Sequence, residues 1–299
     1  MIHKIFVLFS ILTLLVFSAH AEEASDISLS TYPPVAWTLS KGSLQAGAYL
    51  AYTNTSLGKA LGADIGDNND SVGSYQEEGG HLWFGLSDND TVSFQFSLSA
   101  FEYGVKEAEA SFQEFRYKRS LIQNNPYLGF LSAELAWRRH STNELINDGV
   151  SLGARSNTMS DHGFGGRLLL SRSFGAWDFH THLGYNDYDD SDNGQSVIEA
   201  GFGFTRFWAS RYQLDLFYQH YSIDRDNPTN SRSSDSNNTF SVGIKRHFND
   251  SWSMELRGQY NDNLFRGYWP YLDDELDKQS ISFSNYGYFT LGLTYRTKY

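Results

Sequence analysis

Cysteine is absent from this 299-residue chain, and proline occurs only five times and methionine three. Without cysteine the protein has no disulfide and no thiolate chemistry at its disposal. With so little proline beside 26 glycines, the composition is not that of a low-complexity or disordered chain. Surplus positive charge is also lacking: 23 Lys and Arg stand against 35 Asp and Glu, a formal net charge of −12. A basic nucleic-acid surface is therefore excluded. Beyond the first residues no apolar run approaches the roughly 18 residues of a membrane-spanning helix. What the chain has instead is aromatic side chains, at 16%, mostly its 22 Phe and 19 Tyr.

The start of the chain has the build of an export signal. His3 and Lys4 precede an apolar run over Ile5–Phe17, and Ala19-His20-Ala21 has the small-x-small form of a cleavage site. Residues 1–21 are read as a signal peptide cleaved after Ala21. Residues 22–42, around Pro33-Pro34, are read as a short periplasmic lead-in, and 43–299 as one domain with no room for a plug.

Period two organises that domain. Phe240, Val242, Ile244 and Phe248 alternate with Ser241, Gly243, Lys245 and His247; Trp252, Met254, Leu256 and Tyr260 alternate with Ser253, Glu255, Arg257 and Gln259. Strict alternation over about ten residues marks strands with one apolar and one polar face. Such strands are read near 44–54, 79–86, 91–100, 108–119, 127–139, 162–174, 177–187, 195–207, 211–223, 239–248, 252–262 and 286–299. Connections alternate between tight turns and longer polar segments such as Asp187–Gly194, Asp224–Asn238 and Asn263–Ser280. The fold expected is all-β: a single-chain antiparallel transmembrane β-barrel of about 12 strands, with short periplasmic turns and long extracellular loops.

One motif recurs at the tight turns: a basic residue, an aromatic, turn-formers, then another aromatic. It appears as Arg172, Phe174 and Trp177; as Arg206, Trp208 and Tyr212; and as Arg246, Phe248 and Trp252. These residues, with the terminal Tyr299, are assigned to the periplasmic membrane interface, where aromatics form a girdle and arginines turn their heads to water. The last strand places Phe289, Leu291, Leu293, Tyr295 and Tyr299 on one face. That ending resembles the signal that Gram-negative outer-membrane proteins present to the barrel assembly machinery. The class resemblance, porin-like, implies the cell outer membrane as location, with its lipids and lipopolysaccharide as surroundings.

Parity assigns the lumen lining to Glu114, Arg116, Glu134, Arg138, Arg167, His180, His182, Glu199, Asp215, Lys245, Glu255, Arg257 and Arg296. A lumen so lined, in a barrel between the filled eight-strand size and wide porins, suits a passive diffusion channel for small polar solutes. A closed structural or assembly-accessory barrel is a second expectation. An enzyme is the third. In "FYQHYSIDRDNPTNSRSSD", His220 and Ser222 share the lipid-facing parity of Leu214, Leu216 and Tyr218, an unusual place for a base and a hydroxyl. The stretch is similar to the active-site segment of outer-membrane phospholipase A, where a His-x-Ser precedes an "R..PT.SRS" run and an orienting Asn. Arg225, Pro228, Thr229, Ser231, Arg232 and Ser233 echo that run, with Ile223-Asp224 in place of the family's Asn-Gly. The resemblance implies a lipid hydrolase with His220, Ser222 and a third group at Asp235 or Asn237. No resident cofactor is expected. Asp187, Asp189, Asp190 and Asp192 form an acidic extracellular loop whose carboxylates suit Ca²⁺.

Overall fold

In hydrocarbon every backbone N–H and C=O must find its partner within the protein, so strands cross only as a closed ring. The computed structural model describes residues 34–54, 72–103, 106–146, 157–189, 195–208, 211–225, 233–263 and 284–297, and over these the chain makes such a ring. Its strands are β1 (Leu44–Asn54), β2 (Val72–Ser87), β3 (Asp90–Tyr103), β4 (Lys106–Asn125), β5 (Gly129–Ile146), β6 (Asn157–Phe174), β7 (Trp177–Asp189), β8 (Gln195–Trp208), β9 (Tyr212–Arg225), β10 (Ser233–His247), β11 (Trp252–Asn263) and β12 (Ser284–Arg296). Each pairs antiparallel with its neighbours in sequence, and β1 closes on β12 from Gln45↔Arg296 to Tyr52↔Phe289. The proposed signal peptide, residues 1–21, lies outside the described residues, as do Lys298 and Tyr299.

The wall is partitioned in the reverse of a water-soluble domain. Leu50, Leu98, Leu135, Phe164, Leu183 and Leu256 point out and are more than half exposed, while Gln45, Glu114, Asp215 and Lys245 point in and are buried. An exposed apolar belt of that extent belongs against lipid.

Several strands run longer than their alternation suggests. β2 begins at Val72 rather than near 79, and β4 spans 20 residues where about 9–11 cross a membrane. Likewise the segment Asp224–Asn238, read as a loop, is mostly strand, with β9 continuing to Arg225 and β10 starting at Ser233. The cause is physical: beyond the hydrocarbon both faces of a strand meet water, so the apolar–polar period vanishes while the hydrogen-bond ladder continues.

At the short-turn end, the periplasmic one by the logic of such barrels, the turns use side-chain and left-handed devices. Gly175 takes φ 62° in the two-residue link from Phe174 to Trp177. Asn249 Oδ1 accepts from the backbone N–H of Ser251 and of Trp252, both at 2.9 Å.

The lead-in does not hang below this end. Its described part, Pro34–Gly42, enters the mouth and crosses it as a strap, with Ala36 fully buried and Leu39 nearly so. Leu39 N–H donates to Thr91 Oγ1 on β3 (2.9 Å) and Lys118 Nζ on β4 donates to Val35 O (2.8 Å). Ser132 Oγ on β5 donates to Ala36 O, whose own residue's N–H donates to Ser171 Oγ on β6 (2.9 Å). Trp37 ends against Phe130 and, edge-on, against His180 of β7 at 5.0 Å. The expectation that the barrel holds no plug therefore fails for this segment. A stretch without β period carries no sign of which side of the wall it occupies.

The β2–β3 turn shows how the rim is pinned. Ser87 Oγ donates to Asp90 Oδ2 (2.6 Å), Tyr117 Oη donates to Asp90 Oδ1 (2.5 Å), and Arg119 Nη1 lies 3.7 Å from Oδ1. The Ser87 and Tyr117 hydrogen bonds, aided by Arg119, hold the Asp90 carboxyl below its ordinary value. A depressed carboxylate stabilises fully above its unfolded value of about 3.9 and loses that effect as pH falls through the folded one. Asp90→Asn is thus expected to lower the thermal midpoint at neutral pH. The difference from wild type should vanish in acid, read from heat-modified gel mobility across a pH series.

Candidate functional site

Charged side chains taken into a barrel interior must find partners, because an unpaired buried ion costs several kcal/mol. The parity positions of β4 to β8 answer with an interlocked ladder. Glu114 accepts from Arg116 Nε and Arg138 Nε. Glu134 takes Arg167 Nε at 2.6 Å, with Arg116 Nη1 at 3.4 Å and Lys118 Nζ at 3.9 Å. Glu199 stands 3.8 Å from Arg167 Nη1 and accepts from Gln219 Nε2 at 3.3 Å. A second cluster occupies β9 to β11: Arg257 bonds Glu255 and lies 3.9 Å from Asp215, and Lys245 Nζ lies 3.4 Å from Glu255. Asp215 Oδ1 also accepts from Thr205 Oγ1 (2.6 Å) and Gln213 Nε2 (2.9 Å).

His180 joins strap and clusters. Its Nδ1 is 2.9 Å from Ser171 Oγ, the group that receives the Ala36 N–H, and its Nε2 is 3.2 Å from Thr205 Oγ1 on the way to Asp215. His182 is different. It is buried and stacked on Phe217 at 5.8 Å, and among the described residues neither ring nitrogen has a hydrogen-bond partner. It fits only because Gly201 lies beneath it: a Cβ there would sit 2.5 Å from His182 Cε1. Arg296 occupies the same parity near the mouth, half-buried.

A second constellation sits on the outside of the wall. The β9–β10 register sets His220 directly opposite Asn238 and Ser222 opposite Ser236. His220 Nδ1 is 2.9 Å from Asn238 Oδ1, and Tyr218 Oη donates to the same oxygen at 2.7 Å. Ser222, two residues along the strand on the same face, is exposed. Across β8 the partners of His220 and Ser222 are Ala200 and Ile198, and Phe202 packs on Tyr218 at 5.5 Å. The residue seen to reach the imidazole is Asn238. The side chains of Asp235 and Asn237 lie outside the described residues, and the register pairs their backbones with Ile223 and Tyr221. Asn238 was within reach of sequence reasoning, since it shares parity with the outward Phe240, Val242 and Ile244.

The basic–aromatic motifs lie at the short-turn rim on the outward face. The Arg172 guanidinium carbon stands 4.8 Å from the Phe174 ring centre, Arg206 5.2 Å from Trp177, and Arg246 5.8 Å from Tyr212 and 5.4 Å from Phe248. Trp208 stacks on Tyr212 at 5.8 Å, and Trp252 packs on Tyr295 at 4.9 Å. Of the acidic loop only Asp187, exposed on the outer face, is described with its side chain; Asp190 and Asp192 are outside the described residues. Among the described residues no three His, Asp or Glu side chains are grouped to hold a metal ion.

No family model and no curated protein matches the sequence. Solved structures do match the shape. LpxR from Salmonella typhimurium superposes with a TM-score of 0.51 at 11% identity, over 84% of this chain and 99% of that one. An outer-membrane channel from Pseudomonas putida F1 gives 0.52 at 12% identity, over 91% and 99%. The fold is that of the outer-membrane β-barrels. At these identities the likeness concerns the backbone alone, so function must come from the chain's own residues.

Removing Glu114 tests the pairing. Glu114→Ala removes the carboxylate that Arg116 and Arg138 share and leaves Glu134 as the carboxylate beside Arg116, and it should cost about 3–5 kcal/mol, the usual penalty for breaking a buried pair from one side. Urea unfolding from lipid vesicles would measure it.

Proposed function

We propose that the protein works at its outer wall, as an acyl-ester hydrolase of membrane lipid with Ser222 as nucleophile, His220 as base and Asn238 as the residue that orients the base. The observation that carries this reading is the 2.9 Å contact from His220 Nδ1 to Asn238 Oδ1. An amide oxygen accepts only, so it fixes the proton on Nδ1 and leaves Nε2 as the acceptor that general-base chemistry requires. Tyr218 occupies the second lone pair of that oxygen and holds the amide in place. A neutral amide also suits this position, since a carboxylate facing lipid would carry a heavy desolvation cost.

Ser222 lies two residues from His220, about 6.5–7 Å along a strand, a gap that the two side chains can close. Ser222 Oγ attacks the ester carbonyl while its proton passes to His220 Nε2. The proton then leaves with the departing alcohol, and water, deprotonated in turn by His220, releases the fatty acid. Ala200 and Ile198 leave an apolar floor beside the pair for an acyl chain. The test is hydrolysis of an ester phospholipid with a fluorescent acyl chain. Ser222→Ala should reduce turnover by about 10³-fold or more, and Asn238→Ala by about 10²-fold or more. Turnover that survives Ser222→Ala unchanged would overturn the assignment.

A small-solute channel is the second reading, favoured by how the strap is held. Between Val35 and Leu39 it is fastened through wall side chains and not woven into the sheet, so it is a closure that can leave without breaking the barrel. In this reading the full chain rests shut. Deleting residues 34–40 should then produce steady single-channel current in a planar bilayer where the complete protein is silent. A folded deletion variant that stays silent would show that the ion pairs alone close the lumen.

A further inference from the structure

We propose that Ser236 is a further catalytic residue of the outer-wall site, its hydroxyl donating to the oxyanion that forms when Ser222 attacks an ester. The inference rests on the hydrolase reading above and adds a group which that reading does not supply. In the attack a bond forms from Ser222 Oγ to the carbonyl carbon, the Oγ proton passes to His220 Nε2, and the carbonyl π pair moves onto oxygen. On collapse that pair returns, the ester C–O bond breaks, and the departing alkoxide takes the proton back from His220. Between these steps a negative oxygen stands against lipid and needs a donor already aimed at it.

The backbone of β9 cannot be that donor. Peptide N–H groups of a strand lie in the plane of the sheet, whereas the ester lies on its face. They are engaged as well. β9 is paired without a register break on both sides, to β8 from Gln195↔Arg225 to Trp208↔Tyr212 and to β10 from Ser233↔Arg225 to Arg246↔Tyr212. The donor has to be a side chain on the outward face.

Two rows of outward residues cross the site. One is Tyr185, Ile198, Ser222 and Ser236; the next is Leu183, Ala200, His220 and Asn238. On the β8 side, Ile198 and Ala200 offer no donor. On the β10 side Ser236 stands directly opposite Ser222, and both are exposed. Side chains so paired have Cβ atoms about 4.5–5.5 Å apart, a gap across which one hydroxyl reaches an oxygen on the carbon that the other has joined. Asn238 is held to the imidazole, its Oδ1 2.9 Å from His220 Nδ1 and accepting from Tyr218 Oη at 2.7 Å. The division also orients the substrate: the acyl chain lies over Ile198 and Ala200, and the carbonyl oxygen turns toward β10. An ester bound the other way round would set its oxygen on Ile198 and lose the donor.

The complete protein in phosphatidylcholine vesicles, given the fluorescent ester phospholipid, provides the test. Ser236→Ala should lower kcat by about 10²-fold with KM unchanged. Ser236→Thr, which keeps the hydroxyl, should recover most of the rate. Should Ser236→Ala not fold, Ser236→Cys, with its weak S–H donor, must still lower kcat. An alkyl fluorophosphonate, which joins an activated serine through phosphorus with loss of fluoride, should mark Ser222 in the wild type and, more slowly, in Ser236→Ala. Turnover that requires Ser222 but is unmoved by Ser236→Ala would overturn this inference and leave the hydrolase standing. An adduct on Ser236 would overturn it too, by making that residue the nucleophile. Turnover indifferent to Ser222→Ala would remove the hydrolase and the role of Ser236 together.

Discussion

Closure of the hydrogen-bonded ring governs everything else in this molecule. Once β1 pairs with β12, no strand edge remains, and the wall presents only side chains to lipid on one side and to an enclosed space on the other. That separation lets one chain carry Leu and Phe in the open and Glu, Arg and Lys under cover. It also divides function: chemistry requiring lipid must sit on the outward parity, and passage of solute must use the inward one. His220 and Glu199 lie on neighbouring strands yet belong to different solvents.

Enclosure then sets the character of the interior. Twelve strands leave more room than small side chains fill, and this chain fills it with charges in alternating sign, tied by arginine forks to shared carboxylates. Interlocking of this kind rigidifies the wall and fills its inner side with satisfied charge, while the polar trio of His220, Ser222 and Asn238 stands on the outer surface. The strap adds a second closure by other means, hydroxyls and one lysine gripping an irregular backbone.

Much of this was legible from sequence, for a definite reason. Alternation is a local signal, so Phe240 to Phe248 or Trp252 to Tyr260 announce their faces without knowledge of any partner strand. The rim blocks are legible because turn, aromatic and arginine lie within a few residues. What failed were features set by pairing between strands. Which residue meets His220 depends on the β9–β10 register, so the sequence pointed to Asp235 or Asn237 and did not single out Asn238, which the register sets opposite His220. The position of Val35 to Leu39 depends on hydroxyls of β3, β5 and β6 far along the chain, and nothing nearby in sequence encodes it. The ends of the strands escaped notice because water on both faces erases the period.

The strap has a mechanical consequence as well. Fastened to β1 at its root and to β3 through β7 along its length, it runs as a chord across a ring that otherwise resists flattening only through side-chain filling. A chord shortens when a circle is squeezed along it and is stretched when the circle is squeezed across it. Bonds at Thr91, Lys118, Ser132 and Ser171 therefore fix the cross-section of the mouth in both directions. Bending of the surrounding bilayer would reach the periplasmic opening only after straining that brace.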